Sequence, residues 1–272
     1  MNLLQVENLT CGYGCKEVIK DVSFSVKEGD FTGIIGPNGA GKTTLFRAIT
    51  GALALKNGSV SYDGVNIKDI AFKKFASQVA VIPQLIEIPF AFTIEEFVFL
   101  GRFPHLGRFQ PAGGIDRDAV DKAIKLADVS GLRDRKMSEL SGGERQRAFL
   151  AQGFAQEPRV LFLDEPTAHL DIAHQVQIMD ILRRLNKETG LTVVIILHDL
   201  NLASEYCRQL VMLDNGKIFK KGGPDEVLTY KNIEEVYKTV VLVEKNPITL
   251  KPYLLLISQD NLKGLPDRQR KS

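Results

Sequence analysis

The 272-residue sequence predicts an α/β fold: a mostly parallel sheet under helices, an antiparallel β region beside it, and an inserted helical segment. Three observations carry this. The apolar runs FTGIIGPNG (31–39), VLFLDEP (160–166) and TVVIILHD (192–199) have the length and continuity of strands buried on both faces. Helix-period segments, RQRAFLAQGFAQ (145–156) and AHQVQIMDILRRLNKE (173–188), alternate with those runs, as in an α/β core. Asp-Gly in SVSYDGVNI (59–67) and Asn-Gly in LVMLDNGKIF (210–219) stand between strand-like halves, the pattern of tight hairpins.

Taken in order, VSFSV (22–26) alternates apolar and polar residues between Lys-Asp and Glu-Gly, and reads as a half-buried strand. At Thr93 and Glu96 the Thr-x-x-Glu spacing caps a helix through EEFVFLG. The Pro/Gly/Arg-rich loop GRFPHLGRFQPAGG (101–114) and the helical run DRDAVDKAIKLADV (116–129) follow, so residues 85–140 read as a mostly helical insertion. LSGGERQR (140–147) starts a helix with a second capping box, Ser141 and Glu144, yet its first helical residues are Gly142 and Gly143. A glycine in a helix costs roughly 1 kcal/mol relative to alanine, so a local reason for both is required. The ending VYKTVVLVEKNPITLKPYLLLI (236–257) reads as β.

Composition bounds the function. The chain is 44% hydrophobic and 25% charged, with 35 basic and 33 acidic residues and a net charge of +2. That balance gives no bulk attraction for nucleic acid, and no nucleic-acid partner is expected. The cysteines Cys11, Cys15 and Cys207 are odd in number and have no partner pair at metal spacing, so all three are expected as free thiols of a reducing compartment. The start MNLLQVENLT reads against a signal peptide, and apolar runs such as LTVVIIL (191–197) fall far short of a membrane span.

GPNGAGKTT (36–44) follows an apolar strand and fits G-x-x-x-x-G-K-[ST]. Gly36, Pro37, Asn38, Gly39, Ala40 and Gly41 would bring backbone N–H groups onto a phosphate at the positive end of the helix that Lys42, Thr43 and Thr44 begin. Lys42 reaches the outer phosphates, and the Thr43 hydroxyl suits Mg²⁺. VLFLD carries Asp164 to a strand end, where it suits the metal shell of a phosphate-loop protein. Glu165 is the next residue, so it points elsewhere and can polarise an attacking water. His198 ends the next apolar strand, and a neighbouring parallel strand would bring it to the same edge.

GPNGAGKTT, LSGGERQ, VLFLDEP and VIILHD in this order resemble the ATP-binding cassette (ABC) ATPases over nearly the whole chain. The resemblance implies one cassette over residues 1–258, a helical subdomain at about 85–155 and a tail at 259–272. It implies ATP as substrate and Mg²⁺ as cofactor. Gln84 in VIPQ resembles the glutamine that touches Mg²⁺ and links to a membrane subunit, and Tyr13 in CGYG resembles the aromatic that stacks on adenine. Ser141, Gly142, Gly143 and Gln146, with Asp171 in AHLD, would face the ATP of an opposite subunit in a head-to-tail homodimer. A transmembrane permease, a periplasmic or extracellular solute-binding protein acting through it, and a peripheral place on the cytoplasmic face of the membrane follow.

One phosphate loop and no long heptads argue against soluble translation or repair members, and the lack of membrane helices argues against fused exporters. LGRFPHLGRF (100–109) and the C-terminal phrase resemble importers of iron chelates: siderophore, haem or cobalamin. Molybdate, tungstate and zinc/manganese importers stay open as alternatives. Residues 85–110, with Arg102 and Arg108, are expected to meet the permease.

Overall fold

The computed structural model describes residues 2–84, 92–107, 111, 113–258 and 260. Strands β1 (Asn2–Tyr13) and β2 (Lys16–Lys27) pair antiparallel, and β3 (Phe31–Ile35) then runs into helix α1 (Lys42–Ile49). Strands β4 (Leu55–Tyr62) and β5 (Val65–Asn66) form a hairpin, and the first sheet has the order β2-β1-β4-β5. Its turn places Asp63 and Gly64 at φ 50° and 77°, the left-handed pair that an Asp-Gly hairpin turn requires.

Helix α2 (Phe72–Ala76), strand β6 (Val79–Ile82) and helices α3 (Ile94–Phe99), α4 (Gly114–Leu126) and α5 (Gly142–Ala155) follow. The capping boxes expected at Thr93/Glu96 and Ser141/Glu144 are both closed. The chain continues through β7 (Val160–Asp164), α6 (Ile172–Thr189), β8 (Thr192–Ile196), α7 (Leu200–Tyr206), β9 (Gln209–Asp214) and β10 (Lys217–Gly222). The β9–β10 turn again holds an Asn-Gly pair with positive φ, Asn215 and Gly216.

The second sheet has the order β10-β9-β3-β8-β7-β6. All its pairings are parallel except the β9–β10 hairpin. The continuous apolar runs are explained by two cores. Ile34, Phe162, Val194 and Ile196 face the cluster that includes the first sheet and α1. Ile35, Leu161, Leu163, Val193 and Ile195 face the cluster shared with α3 to α7. Strands β3, β7 and β8 are buried along their whole length, so nearly every position in them is apolar.

Helices α8 (Pro224–Val227) and α9 (Tyr230–Tyr237) and the hairpin β11 (Val241–Lys245) and β12 (Pro252–Leu256) end the described fold. Val236 and Tyr237, read from sequence as β, close helix α9 instead; Lys238 stops it in a left-handed conformation at φ 55°. Ile233, Val236, Val241 and Leu254 are buried in the second cluster.

Candidate functional site

Four adjacent parallel strands, β3, β8, β7 and β6, deliver the sequence-predicted groups to one sheet edge. β3 opens into residues 36–41, β8 leads to His198, β7 ends on Asp164 and Glu165, and β6 leads to Gln84. The carboxyl ends of such strands are where open α/β sheets bind ligands.

The loop after β3 needs its glycines. Gly36, Gly39 and Gly41 have φ of 148°, 81° and 99°. A Cβ on Gly36 would stand 2.4 Å from the Leu213 carbonyl oxygen, and one on Gly41 would stand 2.6 Å from Ile19 Cδ1. Pro37, Asn38 and Ala40 complete the loop, and the Ala40 N–H donates to the Pro37 carbonyl at 3.2 Å. Lys42 is buried, and its Nζ donates to the Gly36 and Pro37 carbonyls at 2.9 and 3.1 Å. Burial holds its pKa below the ordinary lysine range, although Glu165 and Asp164 pull it back up. Thr43 is half-buried and Thr44 buried in the first turn of α1, whose leading N–H groups have no intrahelical partner.

Asp164 is 5% exposed, and its Oδ1 is buried with no hydrogen-bond partner. Burial raises its pKa from 3.8 to about 6, and Glu165 adds to the rise. A buried, unpartnered carboxylate oxygen fits a cation, so the residues present suit the Mg²⁺ that the sequence implies. Glu165 has φ 53° and is gripped on both oxygens: Gln84 Nε2 donates to Oε2 at 2.6 Å, and His198 Nε2 lies 2.5 Å from Oε1. Three residues expected separately at the site thus form one chain, His198–Glu165–Gln84.

Tyr13 is half exposed, and its hydroxyl accepts from Arg47 of α1 at 3.3 Å, which sets its ring beside the phosphate-loop helix. Ser141 and Gly142 are exposed and Gln146 half-buried at the start of α5. Gly143 is buried, with the His174 ring in the space a side chain would take. Asp171 caps α6 and receives the His174 N–H at 2.9 Å.

Arg102 departs from expectation. It is 3% exposed and holds Asp116 at 3.1 Å, Glu157 at 2.9 Å and the Ala155 carbonyl at 2.7 Å. A guanidinium so enclosed braces α4 against the end of α5 and offers nothing to a permease. Arg108 lies outside the described residues.

Two residues near the site were not singled out from sequence. Arg47 lowers the pKa of Asp164 while bonding Tyr13. The Tyr237 hydroxyl, from helix α9, lies close to the Gly36 backbone N–H, which draws its pKa down against the burial that raises it. Nothing in the local sequence around Tyr237 signals a contact 201 residues back along the chain.

The ABC transporter family model matches residues 19–168. The chain is 41% identical over 254 residues to an uncharacterized ABC transporter ATP-binding protein of Bacillus subtilis (strain 168), covering 93% of this chain and 58% of that one. It therefore spans little more than half the length of that relative. It is 38% identical over 252 residues to the ferric enterobactin transport ATP-binding protein of Escherichia coli (strain K12), covering 93% of each. The dimeric structure of MJ0796, a bacterial ABC transporter cassette, matches with a TM-score of 0.70 at 28% identity, covering 81% of this chain and 98% of that one. Sequence, sheet topology and site geometry agree: this chain belongs to the ABC transporter family, as one of its ATP-binding subunits.

Proposed function

We propose that the chain, as a single cassette over residues 1–258, hydrolyses ATP to energise an importer of an iron-chelate type solute. It works as a head-to-tail homodimer on the cytoplasmic face of the membrane, bound to a separate permease that a solute-binding protein supplies. Support for the solute class comes from the Escherichia coli relative, which by name serves ferric enterobactin transport, and from the LGRFPHLGRF loop. Support for the dimer comes from the dimeric cassette of similar fold. Among the described residues no helix is long and apolar enough to cross a membrane.

The observation that carries the ATPase reading is the convergence of residues 36–44, Asp164, Glu165, His198 and Gln84 on one sheet edge. The loop N–H groups and Lys42 bind the phosphates, each charge-assisted bond contributing about 1.5–3 kcal/mol. Tyr13 offers its exposed ring to the adenine. Thr43 and Asp164, with Gln84 beside them, would hold Mg²⁺, which neutralises phosphate charge when bound. Glu165 takes the proton side of the attacking water, and His198 orients that carboxylate through its ring nitrogen. Ser141, Gly142, Gly143, Gln146 and Asp171 serve the nucleotide of the opposite copy.

The test is reconstitution of the chain with its native permease in vesicles, followed by ATP hydrolysis and uptake of a ferric siderophore. Solute-stimulated hydrolysis with uptake is expected. The Glu165→Gln variant should bind ATP, accumulate an ATP-bound dimer by light scattering and hydrolyse at least about a thousandfold more slowly. Near-normal turnover in that variant would remove Glu165 from its role. Hydrolysis without uptake of any iron chelate would overturn the solute class alone.

A further inference from the structure

The glycine pair at the start of α5 is met from inside its own chain. A Cβ on Gly143 would lie 2.1 Å from His174 Cδ2, 2.6 Å from Cγ and 2.7 Å from Nε2. The imidazole therefore fills the volume that any other residue would claim. It is not free to step aside. Its Nδ1 lies 2.8 and 2.9 Å from the two carboxylate oxygens of Asp171, and its backbone N–H is tied to the same carboxylate. Gly142 next to it is exposed, with Leu170 Cδ2 3.5 Å from its Cβ position.

The same first turn of α6 holds the loop that leaves Glu165. Gln175 Nε2 donates to the Thr167 and Leu170 carbonyls at 3.2 and 3.1 Å, and the Ala168 N–H donates to the Glu165 carbonyl at 3.1 Å. One turn of helix thus braces residues 165–171 and presents a single aromatic ring to the glycine helix start.

We propose that His174 is a positioning residue. Aimed by Asp171, its ring seats against Gly143 and sets where the start of α5 stands relative to the loop carrying Glu165. This rests on the reading of residues 141–146 as the segment that serves the opposite subunit's nucleotide. In that dimer, the carboxylate acting on one ATP and the helix start facing the other are held in register by one imidazole. Gly143 is glycine because the ring needs its space. Close approach of its backbone to a phosphate is a rival reason, and the two separate in a double variant.

The experiment compares Gly143→Ala, His174→Ala and the double variant in the full chain with its permease. Gly143→Ala should lower ATP turnover at least about tenfold, because the new methyl displaces the ring. His174→Ala should lower kcat several-fold and leave ATP affinity and the urea midpoint at wild-type values, with a weaker ATP-driven dimer in the Glu165→Gln background. A residue that merely supports the fold would move the midpoint instead. The double variant should recover from the Gly143→Ala level to that of His174→Ala, because the vacated ring makes room for the methyl. A double variant no better than Gly143→Ala would overturn the proposal in favour of phosphate approach alone. Wild-type kcat and dimerisation in His174→Ala would overturn it as well. A wild-type chain that fails to hydrolyse ATP would count against the ATPase reading rather than against the role of the ring.

Discussion

Replacing Asp164 by Asn should stabilise the nucleotide-free chain at neutral pH while abolishing its ability to hydrolyse ATP. The carboxyl is 5% exposed, its Oδ1 has no partner, and burial raises its pKa from 3.8 to about 6. Arg47, Lys42 and His198 pull the other way and do not offset the burial. A raised pKa means that the folded chain keeps the proton after the unfolded chain has lost it. The folded state therefore binds more protons between about pH 4 and pH 6, and stability falls as pH rises through that window. The gap of about 2 units, at about 1.4 kcal/mol per unit, gives about 3 kcal/mol of destabilisation fully present above about pH 7. Asparagine has no charge to desolvate. The variant should match wild type near pH 4 and exceed it by up to about 3 kcal/mol near pH 7.5, roughly 6–12 °C in Tm for a chain of this size. Urea titrations across that range, with a chelator and no nucleotide, measure the difference directly. Magnesium with ATP should reverse the order, because ligand binding to the folded wild type adds stability that the variant cannot gain. A stability difference that stays flat with pH, or an asparagine variant less stable than wild type at neutral pH, would refute the reasoning.

Other outcomes follow from the same geometry. Lys42→Ala should weaken ATP binding at least about tenfold in titration calorimetry, since it removes a charge-assisted phosphate contact; an unchanged Kd would refute the phosphate role. Arg102→Ala should destabilise the fold by about 3 kcal/mol, because it leaves Asp116 without its buried cation. A normal urea midpoint with selectively lost transport would restore the permease-contact reading. Of the three thiols, exposed Cys15 should react first with a thiol reagent in the native chain, since burial raises the Cys11 pKa and pushes Cys207 up to about 12. Native labelling of Cys207 as fast as Cys15 would refute that order.

The motifs were legible because each couples a local backbone requirement to a residue type. Gly36, Gly39 and Gly41 mark left-handed positions, and the two hairpins announced themselves by Asp-Gly and Asn-Gly. Apolar runs of five residues gave β3, β7 and β8, and their order in the sheet then put His198 between the phosphate loop and Asp164. Contacts set by tertiary packing were not legible. Arg102 has the charge and loop context of a surface residue, and only the closing of α4 on the end of α5 buries it. Gly143 looked like a phosphate-facing glycine, and the ring that also demands it comes from α6, 31 residues later. Helix α9 was hidden because Val236 and Tyr237 are β-favouring residues held in a helix by burial of Ile233 and Val236.

The hydroxyl of Tyr237 has a bearing on how such subunits can be cut and recombined. The family model ends at residue 168, yet a helix starting at Tyr230 reaches back to the first glycine of the phosphate loop and shares the main core. The C-terminal segment is therefore no detachable appendix. A chimera that borrows this segment from a relative would inherit a different neighbour for Gly36, and its nucleotide affinity would change along with whatever the segment was borrowed to alter.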